Sequence, residues 1–114
     1  MRMSEADFAR ISSEKKSKPK GPTETDIQNA IREYLRWRGW FVIRHQHGLG
    51  CHKGLSDLTA IKNGRTVYIE VKNIFGKLSE KQIEFKSDIE NHGGIYLVVR
   101  SIADIEDELA RYHL

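Results

Sequence analysis

A chain of 114 residues with 39% apolar content supports one compact domain with one modest core, not two. No apolar run approaches the roughly 20 residues of a membrane span, the first residues are too polar for a signal peptide, and the lone cysteine, Cys51, excludes an internal disulfide and the four-cysteine and Cys/His zinc frameworks; the expectation is a soluble, cytoplasmic protein. The net charge of +3 hides a segregation that suits a polyanionic partner: residues 1–22 hold six Lys/Arg against three Asp/Glu, residues 23–43 three of each, residues 44–81 seven against three, and residues 82–114 three against seven.

Residues 1–22 end in SEKKSKPKGP, a basic, Pro/Gly-punctuated run with little to bury, and read as a mobile arm with only Phe8 and Ile11 able to dock. The folded part, 23–114, opens at Thr-Glu-Thr-Asp, which offers N-caps at Thr23 or, with Gln28 as the reciprocal residue, at Thr25. A helix follows with Ile27, Ala30, Ile31, Tyr34 and Leu35 as its apolar stripe, closed by Gly39. WFVIRHQ is the first strand and HGLGCHKGL a Gly-rich loop. SDLTAIK and RTVYIEVK are two strands joined by Asn63-Gly64, the signal for a two-residue type I′ hairpin. Ser79 caps the next helix, with Gln82 completing a capping box and Leu78 and Ile83 placed as a staple, and Gly93-Gly94 ends it. IYLVVR is a buried strand. Ser101 then caps a last helix that turns Ile102, Ile105, Leu109 and Tyr112 to one side. Since a helix joins the third and fourth strands, these should be parallel, giving an α/β fold with a mixed four-stranded sheet in the order αβββαβα.

If Asn63 and Gly64 are the hairpin loop, Lys62 pairs with Arg65 and Leu58 with Ile69, so Asp57 lands opposite Glu70. Lys72 joins them by the period-2 rule. Leu58, Ala60, Val67, Ile69 and Val71 make up the opposite face. Two facing carboxylates repel, and something must compensate. Lys72 alone can do so as a salt-bridged triad; the alternative is a divalent cation, for which oxygen ligands suit Mg²⁺ or Mn²⁺. Glu24, three residues before Ile27, continues the helix stripe as a third acid, or else is an ordinary first-turn acid favoured by the helix dipole.

An acid-bearing helix, Asp57, a hairpin and then Glu70-Val71-Lys72 resemble the PD-(D/E)XK nuclease superfamily. TETDIQNAI, RGWFVIR, KGLSDLTAI, YIEVK, GKLSEKQ and GGIYLVVRS, in that order, are similar to the virus-type replication-repair nuclease (VRR-NUC) family from about Thr23 to Ser101. The resemblance implies a restriction-endonuclease-like core and a metal-dependent DNA endonuclease. It further implies a small phage or bacterial protein acting as a homodimer on branched DNA such as four-way junctions. It makes Asp57, Glu70 and the main-chain carbonyl of Val71 ligands of Mg²⁺ or Mn²⁺, with Glu24 as a further acid, Lys72 the catalytic lysine and Gln82 a catalytic-site glutamine; Lys53 matches a basic residue of the loop before the aspartate. Ser56 departs from the pattern, standing where the superfamily has proline. A non-catalytic nucleic-acid-binding module and a restriction-like nuclease on duplex DNA are the alternatives.

For the phosphate backbone, the candidates are Arg44 and Lys53 at a phosphate-facing loop and Lys77 and Lys81 near the expected active edge. His45, His47, Cys51 and His52 crowd the loop, but their spacing fits no familiar zinc pattern. Trp37 and Trp40 read as packing residues.

Overall fold

The structure is a computed structural model and describes residues 21–114. The expected basic arm therefore lies outside the described residues, apart from Gly21 and Pro22. Among the described residues, three helices and four strands follow in the expected order: α1 (Glu24–Trp37), β1 (Phe41–Arg44), β2 (Leu58–Lys62), β3 (Arg65–Val71), α2 (Glu80–Asn91), β4 (Ile95–Val99) and α3 (Ile102–Arg111).

Local chemistry explains most boundaries. Thr23 caps α1, its hydroxyl accepting from the Asp26 amide while the Asp26 carboxylate accepts from the Thr23 amide, both at 3.1 Å. This reciprocal pair replaces the Thr25–Gln28 register, because it satisfies orphan amides two residues earlier. Gly39, at φ +89, ends α1: the Trp40 amide reaches back to the Leu35 carbonyl and the Gly39 amide to Arg36. The same two-bond ending closes α2 at Gly93 and α3 at His113, a non-glycine residue held at φ +59. Ser79 and Gln82 form the expected capping box on α2.

The four strands form one sheet in the order β1-β2-β3-β4, antiparallel for the first two pairings and parallel for β3 with β4. Asn63 and Gly64 both take positive φ, +52 and +76, as a type I′ turn requires, and Lys62 pairs with Arg65 and Leu58 with Ile69. One sheet face carries the main core: Ile27, Ile31 and Leu35 of α1 and Ile105 and Leu109 of α3 close over Val42, Leu58, Ala60, Val67, Ile69, Val71, Leu97 and Val99. Burying each such side chain contributes about 1.5–3 kcal/mol. Trp40 joins this core, whereas Trp37 is 81% exposed and Ile102 leaves the buried side of α3. The other face is covered more thinly. There α2 buries only Phe85, whose ring meets Tyr68, Tyr96 and His52 at centroid distances of 6.0, 6.0 and 5.3 Å, and Ile83 stays exposed. Among the described residues, no helix is long and apolar enough to cross a membrane.

Candidate active site

Because Val67, Ile69 and Val71 fill the main core, alternation sends Glu70 to the thinly covered face, with Lys72 two residues beyond. Glu70 is 2% exposed, and its Oε2 lies 3.5 Å from the Lys72 ammonium. Asp57 sits one residue outside β2. Its carbonyl accepts from the His45 amide at 2.9 Å, and its Oδ2 accepts from the Val71 amide at 2.8 Å. Both ends of Asp57 are thus fixed, and its carboxylate reaches Glu70 by crossing to the backbone of β3 rather than by extending the strand ladder.

Burial pushes the Glu70 carboxyl up to about 8, with the Asp57 charge and a hydrogen bond to Asp57 adding to the rise and Lys72 partly opposing it. Gln82 serves two partners: its Oε1 accepts from the Ser79 amide at 2.9 Å, and its Nε2 donates to Glu70 Oε2 at 3.2 Å. The capping box thereby aims a side-chain donor at the acid. Glu70 Oε1 is buried with no hydrogen-bond partner, as is the Tyr96 hydroxyl, whose pKa is raised by burial and then by Glu70 and Asp57. Glu70 borders a pocket of about 360 Å³ whose walls also include Glu24, Asp57, Lys72 and Gln82. Glu24 is exposed at the first position of α1, so it combines the dipole-favoured placement with a place at the pocket wall. Among the described residues, no three His, Cys, Asp or Glu side chains gather closely enough to hold a metal ion by themselves. The protein's own contribution to a cation would be the Asp57–Glu70 pair, leaving Glu24 across the pocket.

Basic residues flank the acids on two sides. Arg44 lines a depression of about 680 Å³ that shares Asp57 and His47 with the pocket, while Lys53 and Lys81 line one of about 330 Å³ against α2. Lys81 is paired with Glu84 at 3.4 Å, and Lys77 is exposed. The histidines are occupied separately. His45 Nε2 lies 2.6 Å from Thr59 Oγ1, His47 Nε2 lies 2.8 Å from the Leu55 carbonyl, and His52 packs on Phe85. Burial and then the neighbouring His47 lower the His45 pKa against the pull of Asp57. Ser56 is fully buried and donates to the Leu58 carbonyl at 3.1 Å, bracing the approach to β2 where a proline ring would otherwise do so.

Four residues that shape the site carry little signal in the sequence. Gln28 lines the Asp57 depression with its Oε1 buried and unpartnered; its spacing four after Glu24 was the available clue. Gly54, at φ +79, passes so close to α2 that a Cβ there would lie 2.1 Å from the Lys81 carbonyl oxygen. A Cβ on Gly76 would lie 3.1 Å from Lys72 Cδ and 3.4 Å from Glu24 Oε2. The Arg100 guanidinium donates to the carbonyls of Asn73 and Gly76, holding the loop after Lys72.

A mixed four-stranded sheet with helices on both faces, an aspartate one residue before one strand and Glu-x-Lys running off the end of the next, defines a small α/β fold. No protein-family model matches the chain, and no curated protein sequence matches it. Among solved structures it matches a "VRR_NUC domain" with a TM-score of 0.65 at 20% identity, over 82% of this chain and 100% of that one. The chain has the VRR_NUC fold.

Proposed function

We propose that the protein is a Mg²⁺- or Mn²⁺-dependent endonuclease that hydrolyses phosphodiester bonds in branched DNA, in the manner of a four-way-junction resolvase. The observation that carries this reading is the buried, donor-free Oε1 of Glu70 beside the Asp57 carboxylate and the Lys72 ammonium. A carboxylate oxygen with no partner in a low-dielectric site is costly, and an all-oxygen donor set suits a hard cation that keeps several of its waters. Asp57, Glu70 and the Val71 carbonyl would hold such an ion, with Glu24 reaching it through solvent. When bound, it would supply an activated water and neutralise charge on the phosphoryl oxygens.

The chain's own groups divide the remaining work. Lys72 stabilises the negative charge that grows on the phosphate, an electrostatic role rather than that of a general base. Gln82 is a positioning residue that fixes the Glu70 carboxylate through its 3.2 Å bond. Arg44 on one side and Lys53, Lys77 and Lys81 on the other give sequence-independent phosphate affinity. Phe41 and Ile43 on the edge strand β1, 65% and 37% exposed, with Trp37 nearby in sequence, offer an apolar face that supports action as a homodimer.

The test is nicking of branched and fully paired DNA with Mg²⁺, Mn²⁺ or EDTA, comparing wild type with Lys72→Met. Metal-dependent cleavage that prefers branches and disappears in the variant is expected. Tight binding without products in any metal would leave a binding module, and equal cutting of plain duplex a restriction-like enzyme.

A further inference from the structure

The turn that follows the active-site lysine, Asn73-Ile74-Phe75-Gly76, places two adjacent large apolar side chains in water: Ile74 is 72% and Phe75 70% exposed. Isolated exposed apolar residues are ordinary, but a pair on a braced turn beside a functional pocket is not. The brace is extensive for four residues. Asn73 Oδ1 accepts from the Phe75 amide at 2.9 Å, the Gly76 amide donates to the Asn73 carbonyl at 3.1 Å, and the Arg100 guanidinium donates to the carbonyls of both Asn73 and Gly76. Arg100 is itself anchored, its amide donating to Asp104 Oδ2 at 2.8 Å in the first turn of α3. The turn is also pressed against the site, since Gly76 has no room for a Cβ free of the Lys72 stem and Glu24. Phe75 precedes Gly76 by one Cα–Cα step, about 3.8 Å.

We propose that Ile74 and Phe75 form a wedge that stacks on an unpaired or terminal nucleobase where strands separate, so that the branch point is seated next to the pocket. This rests on the nuclease reading of that pocket. Charge argues for a nucleic acid as the occupant: exposed Lys77 directly follows the turn, and residues 44–81, which include it, hold seven Lys/Arg against three Asp/Glu, a balance suited to the phosphates on either side of such a base. An aromatic ring accepts any base on its π-face, and an apolar side chain wedged at a step unstacks it, so the device selects structure and not sequence. The Arg100 brace fits this role, since a wedge is effective only if its backbone does not yield.

The experiment measures affinity by fluorescence anisotropy in Ca²⁺ for a four-way junction and for a fully paired duplex, using wild type, Phe75→Ala, Ile74→Ala and Phe75→Trp. Both alanine changes remove exposed atoms, so circular dichroism and mass in solution should stay at wild-type values. Phe75→Ala is expected to lose about 5- to 100-fold in junction affinity, the range of a base–aromatic stack, with less than about twofold change on duplex. Ile74→Ala should lose less, and Phe75→Trp should keep the preference. Equal losses on both DNAs, or none, overturn the wedge; so does a change of oligomeric mass in Phe75→Ala, which would assign the pair to contact with a second copy. A wild type that binds junctions but never nicks them with Mn²⁺ sinks the hydrolytic reading and leaves the wedge measurable, whereas one that binds no DNA sinks both.

Discussion

Glu70→Gln isolates the electrostatic strain at the centre of the site. The replacement keeps the shape of the protonated acid, can still accept from Gln82 and can donate to Asp57, and it no longer titrates. In the wild type the folded-state value of about 8 lies well above the unfolded chain's ordinary 4.5. Below 4.5 both folded and unfolded chains hold the proton; between 4.5 and 8 only the folded one does; above 8 neither does. Stability contributed by the protonated form is therefore present at low pH and lost as pH rises through this window, by at most about 1.4 kcal/mol per pH unit. Between pH 5.5 and 7.5 the ceiling is about 2.7 kcal/mol, and screening at the pocket mouth reduces the expectation to about 1–2 kcal/mol. For a domain of this size that corresponds to a Tm difference of roughly 5–15 °C. Thermal unfolding in EDTA at the two pH values, for both proteins, yields a double difference in which titrating groups that do not interact with Glu70 cancel. The wild type should lose this stability relative to the variant on going to pH 7.5. Identical pH slopes would refute the account of Glu70 as a strained, donor-poor carboxyl.

Lys72→Met retains the aliphatic stem that packs against Gly76 and removes the ammonium, so it should leave Tm within a few degrees while lowering the nicking rate by about 100- to 1,000-fold, read by single-turnover kinetics. Above pH 8, where Glu70 is ionised, Asp57→Asn should raise the Tm of the metal-free protein slightly by ending the carboxylate repulsion, yet forfeit the stabilisation that Mg²⁺ or Mn²⁺ gives, about 2.7 kcal/mol at 100 times the Kd; equal metal protection in both proteins would count against the site. Gly54→Ala meets the Lys81 carbonyl and a positive φ together, whereas Gly50→Ala at φ +88 has nothing within 4 Å and meets backbone strain alone. Denaturant titration should therefore show Gly54→Ala as the more damaging by about 2 kcal/mol or more, with comparable losses speaking against the loop–α2 contact. Phe85→Ala, which empties the only buried position of α2, should cost about 3–5 kcal/mol and accelerate amide exchange in α2 before α1.

Element order, the Asn63-Gly64 hairpin and its register, the Ser79–Gln82 cap and the parallel β3–β4 pairing could all be read from the chain, because each follows from local chemistry or from periods of 2 and 3.6 residues. That register was enough to bring Asp57, Glu70 and Lys72 to one face, since a one-residue slip would have sent Leu58 and Ile69 to that face. Three-dimensional packing decided the rest. Whether Glu70 is buried depends on α2 and the 48–56 loop closing over it, which in turn depends on Gly54 tolerating an approach that no window of sequence describes. The separation of Glu24 from the acid pair, the exposure of Trp37 beside a buried Trp40, and the bracing of Ile74 and Phe75 by Arg100, 24 residues beyond Gly76, arise the same way. Desolvation and close approach are properties of neighbours distant in the chain, so the residue types at the site were settled by sequence and their chemical state by tertiary structure.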